Sequence, residues 1–267
     1  MLRMLLGILI CPVTWADPPY PPSPVIEKIV WAPADSIVRK ARGSDNLPIT
    51  WADDNSLYIT WGDGWGFNPK LPKKLSMGFA RILGGPEDFK GINSRSTAEQ
   101  LGGGRSGRKG WGLISVGGVL YLWMGHADQQ GGQAQLAWSR DHARTWTFAD
   151  WRFSDFGLMG FVNFGKDNEL ARDDYVYAYS HDGPLADTLA DRGDTRFAGG
   201  FAVYDAPEPW GPWSTAFYTE KWDVGPGEHG DFPAKWMTAD GRELYLVFSG
   251  DDSFSVRKAS IVLRQGN

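Results

Sequence analysis

Residues 46–63 read NLPITWADDNSLYITWGD, and residues 231–251 read DFPAKWMTADGRELYLVFSGD. Pro48, Trp51 and Tyr58 of the first stretch align with Pro233, Trp236 and Tyr245 of the second, with a turn two residues longer. Each copy is an apolar strand, a polar turn, then a Leu-Tyr strand that ends in a Gly-Asp corner. Weaker copies of the second strand read GGVLYLWMGHAD (117–128) and DDYVYAYSHD (173–182). The strand tyrosines, Tyr58, Tyr121, Tyr177 and Tyr245, are 63, 56 and 68 residues apart. A period near 60 with several short strands per period predicts an all-β fold, a β-propeller with one blade per repeat.

A further strand follows each copy: GFARIL (78–83), QLAWS (135–139), GFAVYD (200–205) and ASIVL (259–263). The innermost strands are expected near 47–52, 111–116, 160–165 and 232–237. Four repeats predict four recognisable blades, because 183–199 is too short to hold another. An unpaired blade edge near 176–204 would then be open to pairing with a second copy, making a homo-oligomer. SRDHARTW (139–146) is close to the Asp box of sialidase-like propellers, with Ala143 at the glycine position. Asp141 and Trp146 are read as scaffold: the aspartate accepts turn hydrogen bonds and the indole packs between strands.

The chain is expected to divide into a signal peptide (1–16), a proline-rich tether (17–24) and one domain (25–267). Arg3, the apolar run Leu5–Ile10 and Thr14-Trp15-Ala16 carry the first expectation. That run is too short to span a bilayer as a helix. Cys11 is the sole cysteine, so the mature chain has no disulfide, which suits a secreted or periplasmic bacterial protein. Twenty-seven basic against 32 acidic residues give a net charge of −5, and −6 without residues 1–16. Such a balance argues against nucleic acid as a partner.

In a propeller blade, the residue before the innermost strand and the residue after the next one meet at the same mouth. In the first repeat these are Asp45 and Asp63. Adjacent strands lie about 5 Å apart, so the two carboxyls are expected roughly 5–10 Å apart, the range of paired carboxylates in glycoside hydrolysis. Asp63, between Trp61 and Trp65, is the choice for the general acid, because apolar walls raise a carboxyl pKa, and Asp45, between Ser44 and Asn46, is the expected ionised partner. The corner position five residues after each strand tyrosine holds Asp63, His126, Asp182 and Gly250. Asp128, His181 and Asp251 flank these corners, and Glu228 and His229 precede the last inner strand. Trp65 is read as a sugar-stacking residue. The competing reading of each corner aspartate is ordinary turn chemistry. No cofactor and no metal site is expected.

The stretches SDNLPITWADDNSLYITWGDGWGF, KLSMGFARILGGPEDFKG, DDYVYAYSHD, FAGGFAVYDAPEPWGPW and KWMTADGRELYLVFSGDDSFSVRKA resemble the exported bacterial propeller family called domain of unknown function 4185. Some of its members are endo-acting D-arabinofuranosidases. The resemblance covers most of residues 27–263. It implies a five-bladed ring and a carboxylate pair at the positions of Asp45 and Asp63. The chain departs from that pattern between Asp182 and Phe197, where it is shorter by about one blade, so an incomplete ring is an alternative to a four-bladed one.

The leading expectation is therefore a secreted glycoside hydrolase that acts on a polysaccharide or oligosaccharide, D-arabinan-like or another cell-wall, plant or algal glycan. The alternative is a non-catalytic carbohydrate-binding or surface-interaction propeller. A third is a polysaccharide lyase using His126 and Tyr121, with Arg105, Arg108 and Lys109 to neutralise a uronate.

Overall fold

A computed structural model describes residues 17–154, 159–180 and 196–265. The expected signal peptide lies outside them. The described chain is all-β, with β1 (Ile26–Trp31), β2 (Val38–Lys40), β3 (Ile49–Trp51), β4 (Leu57–Gly64), β5 (Leu75–Leu83), β6 (Lys90–Ser94), β7 (Lys109–Val116), β8 (Val119–Gly125) and β9 (Ala134–Ser139) in its first half. The second half holds β10 (Thr147–Phe148), β11 (Met159–Phe161), β12 (Ala178–Ser180), β13 (Phe201–Asp205), β14 (Ser214–Thr219), β15 (Gly230–Asp231), β16 (Glu243–Phe248) and β17 (Phe254–Leu263). The helical segments among the described residues are 3₁₀ turns of three residues, and none is long and apolar enough to cross a membrane.

The strands form five antiparallel sheets. β3–β4–β5–β6 and β7–β8–β9–β10 are four-stranded meanders. β15–β16–β17 is completed by β1 from the other end of the chain, and β2 also pairs with β17. β11–β12 and β13–β14 are pairs. Three sheets have four or more strands and two have two. GFAVYD pairs with Ser214–Thr219, not with the strand at Ala178–Ser180.

Strands lie at 49–51, 109–116 and 159–161, overlapping three of the expected first strands of the repeat, but the fourth is cut to Gly230–Asp231. Residues Ala234–Trp236 form a 3₁₀ turn there, because Pro233 has no N–H to offer a ladder. The hairpin before Tyr58 is an Asx turn: Asp54 accepts from Ser56 N (2.9 Å) and from the Tyr58 hydroxyl (2.9 Å). Asp173 repeats both bonds with Tyr175 N and the Tyr177 hydroxyl. The side chain that turns the chain therefore also anchors the strand tyrosine four residues on.

The sheets pack face to face. In β4, Leu57, Ile59 and Trp61 face the last sheet and meet Val247, Phe254 and Val256. Tyr58, on the opposite face, joins Met77 and Phe79 of β5 against Leu113, Leu120 and Leu122 of the second sheet. A strand buried on both faces explains its near-unbroken apolar run. Ile114 and Trp123 continue the stack to Met159 and Phe161. On the other side, Leu244 and Ala259 meet Ala216 and Phe217 of β14, and Leu246 and Phe248 meet Trp222 and Phe201.

The proline-rich segment is not a free tether in its second half. Pro22 bridges Thr215 in parallel register. Ser23 N donates to Thr215 O (2.9 Å), Thr215 N donates to Pro21 O (2.7 Å), and the buried Ser23 hydroxyl donates to Asp205 (2.9 Å). Prolines suit an edge position because the N–H they lack faces outward.

Candidate active site

Asp45 and Asp63 are brought together by the backbone. Asp45 exchanges two hydrogen bonds with Gly62, at 3.1 and 2.8 Å, so the loop before β3 lies flat on the end of β4. The glycines allow it. A Cβ on Gly62 would stand 2.5 Å from Asp45 Oδ1, and one on Gly64 would stand 2.1 Å from Ser44 Oγ. Ser44 Oγ accepts from Gly66 N at 3.0 Å. Asp63 closes β4 in left-handed backbone (φ 36°), which aspartate tolerates better than most residues.

The first residue of β7 completes the group. Lys109 is 8% exposed, and its ammonium lies 2.5 Å from Asp63 Oδ1. It reaches this place because β7 starts close against β4: a Cβ on Gly110 would stand 2.2 Å from Thr60 Oγ1. Asn46, the neighbour of Asp45, donates to Gly110 O at 2.9 Å and ties the same two sheets.

From the last sheet come Glu228 and Asp252. The main chain joins them to the site: Gly43 N and Ser44 N donate to Asp252 O (2.6 and 3.1 Å), while Glu228 N and His229 N donate to Ser249 Oγ (2.8 and 3.1 Å). Burial pushes the Asp45 carboxyl up to about 7, helped by the charges of Glu228, Asp63 and Asp252 and opposed by Lys109. Burial and the charge of Asp252 also raise the Glu228 carboxyl. Because Glu228 as a whole residue is exposed at the rim, solvent moderates that effect. Asp45 is thus the group that holds a proton near neutrality, and Asp63 is the one facing an ammonium. The expectation that Asp45 stays ionised in its polar setting is corrected: its burial outweighs its polar neighbours. The apolar walls assumed for Asp63 are absent on its Lys109 side.

The other candidates among the described residues have contacts of their own. His126, also left-handed (φ 52°), sets Nδ1 3.1 Å from Gly107 O and meets Trp111 edge-on at 5.5 Å. Asp128 is a turn residue. Its carboxylate accepts from Gln130 N and Gly132 N, and the Gln130 bond leads in holding it below the usual range. His229 is paired with Asp231 at 2.8 Å. Asp251 faces outward to Arg42 (3.2 Å) and Arg39 (4.0 Å). Trp65 is 36% exposed beside Gly43, with Lys74 5.9 Å from its ring. His181 and Asp182 lie outside the described residues. Sequence reasoning missed Asp252, whose signal was the doubled aspartate after Gly250. It named Lys109 only as a uronate ligand, whereas the structure buries it against Asp63.

Asp53, Asp54 and His142 form a second polar cluster, between the first two sheets, with ligand atoms within 4.8 Å of one another. Its groups are engaged: His142 Nε2 is 2.8 Å from Asp53, and Arg81 is 2.8 Å from Asp54. Burial would raise the Asp54 carboxyl, but the hydrogen bonds from Ser56 N and the Tyr58 hydroxyl, with the charge of Arg81, together hold it low.

No family model matches the chain, and no curated protein matches it. Among solved structures, a bifunctional GH43-CE protein of Bacteroides eggerthii is similar, with a TM-score of 0.40 and 14% identity. The similarity covers 87% of this chain and 31% of that one, so the chain spans less than a third of the structure it resembles.

Proposed function

We propose that the five sheets are blades of a propeller ring and that the Asp45–Asp63 mouth of this ring hydrolyses glycosidic bonds in a polysaccharide. The face-to-face order of the sheets supports the ring. So do the contacts between its two ends: Arg172 binds Glu208 at 2.8 Å, and Tyr177 stands 5.6 Å from Trp210. A cavity of about 210 Å³ lined by Ile49, Trp51, Phe161, Tyr179 and Asp231 fits a central channel.

The observation that carries the function is the pair itself. One carboxyl keeps its proton near neutrality, and its neighbour is ion-paired to a buried lysine. Glycoside hydrolysis needs these two states side by side. Asp45 donates its proton to the departing glycosidic oxygen as the C–O bond breaks. Asp63, as carboxylate, either attacks the anomeric carbon or takes a proton from the attacking water. The mouth carries Asp45, Asp63, Glu228 and Asp252, so its substrate is an uncharged glycan, with D-arabinan the first candidate by resemblance. Such a polymer is met outside the cell, in keeping with the expected signal peptide.

Left-handed backbone at Asp63, His126, Asp251 and Asp252 favours a second reading, a sugar-binding propeller whose aspartates only shape turns. The test is a glycan panel with reducing-end and ultraviolet product detection. Cleavage by the parent and a loss of at least 100-fold in Asp45→Asn and Asp63→Asn supports hydrolysis. Binding without cleavage, unchanged in both variants, moves the assignment to the binding module.

A further inference from the structure

We propose that Lys109 is a positioning residue that decides which aspartate of the pair carries the proton: its buried ammonium commits Asp63 to the ionised state and leaves the proton on Asp45. The proposal rests on the reading of the pair as an acid and its ionised partner, and it adds the group that assigns the two roles.

Geometry carries it. The charged groups that act on Asp45 come from four elements: Asp63 at the end of β4, Lys109 at the start of β7, Glu228 before β15, and Asp252 in the turn between β16 and β17. Three of these four are acids. The second cation nearby, Arg196, is bound to Asp252 at 3.2 Å, and its side chain is 43% exposed. Lys109, with a side chain only 10% exposed, is bound to Asp63. A buried ammonium loses its hydration and recovers it only from a close anion. Burial, helped by the surrounding acids, keeps a proton on Asp45, and the carboxyl that has the ammonium contact is Asp63. The placement is built in. Gly110 lets β7 approach Thr60, and the Asn46 bond to Gly110 O holds Asp45 against the same strand end. No contact with substrate is required of Lys109.

The test uses the free protein with ¹³C-labelled aspartate carboxyls, followed by NMR from pH 4 to 9. In the parent, the Asp45 signal titrates near pH 7 and the proton present at pH 6 is on Asp45. In Lys109→Met, the Asp45 midpoint moves up by roughly one pH unit, and at pH 6 the Asp63 signal shows partial protonation that the parent lacks. Lys109→Arg restores the parent pattern. In the hydrolysis assay, the alkaline limb of kcat/KM moves with the Asp45 midpoint. Finding the pH 6 proton on Asp63 in the parent overturns the proposal without any variant, which covers the case of a Met variant that does not fold. A folded Met variant with the parent pattern overturns it as well. The titration needs no glycan. A protein that cleaves nothing yet shows the Lys109-dependent split loses the hydrolase reading and keeps this one, and a hydrolase without the split does the reverse.

Discussion

Asp45 is ordinary by type and unusual by place. In an unfolded chain its carboxyl ionises near pH 4, whereas in the folded protein it ionises near 7. Between those values the native state holds a proton that the unfolded chain has released. The stabilisation is complete below about pH 4 and is lost as pH rises through 7. Asp45→Asn should therefore be the more stable protein at pH 8, by on the order of 2 kcal/mol, with the advantage gone at about pH 3. Melting curves at the two pH values check this. An equal melting temperature at pH 8 would show that water reaches the carboxyl freely. Gly62 is the other decisive residue. Gly62→Ala puts a methyl on Asp45 Oδ1 and should cost about 1–3 kcal/mol, while shifting the Asp45 NMR signal. An unchanged signal would mean that the loop before β3 yields easily.

The hairpins are the level at which the sequence was most readable. DNSLY was legible as a polar turn leading into a strand tyrosine, and DDYVY as a weaker copy of that strand; that the turns are Asx turns anchoring the tyrosines is seen only in the hydrogen bonds of Asp54 and Asp173. The Asp box was equally plain: Asp141 accepts from Thr145 N (2.8 Å) and its hydroxyl (2.6 Å), and Trp146 packs against Phe79. Its one irregularity has a cost. Ala143 sits at φ 69°, in the left-handed region where a Cβ is penalised by about 1–2 kcal/mol. Ala143→Gly should raise the melting temperature by about 2–4 °C without touching the aspartate pair. Differential scanning calorimetry decides, and a fall would mean that the buried methyl contributes more than the strain removes. Spacing could not reveal which strands share a sheet once the repeat weakened. GFAVYD follows the strand at 178–180 in order but pairs with Ser214–Thr219, because partner choice depends on packing against Trp31 and Trp222, far apart in the chain. Nor could it show that Lys109 turns toward Asp63, since that depends on two sheets approaching over Gly110.

At the scale of the molecule, the last sheet is assembled from both ends of the chain. Ile29 of β1, 7% exposed, pairs with Ile261 of β17 and packs on Leu244, Ala216 and Ala259. Ile29→Ala should cost about 2–4 kcal/mol, and it should lower a single unfolding transition seen by both tryptophan fluorescence and far-ultraviolet circular dichroism. Two separated transitions would instead mean that the last sheet melts on its own. The pairing of β1 with β17 also sets a clock. During synthesis β1 leaves the ribosome about 230 residues before its partner does, a delay of tens of seconds at 5–20 residues per second. Throughout that interval Ile26 and Ile29 lie on a strand with no ladder to join. The nascent chain must be kept from pairing its β1 edge with neighbouring chains until β17 has emerged.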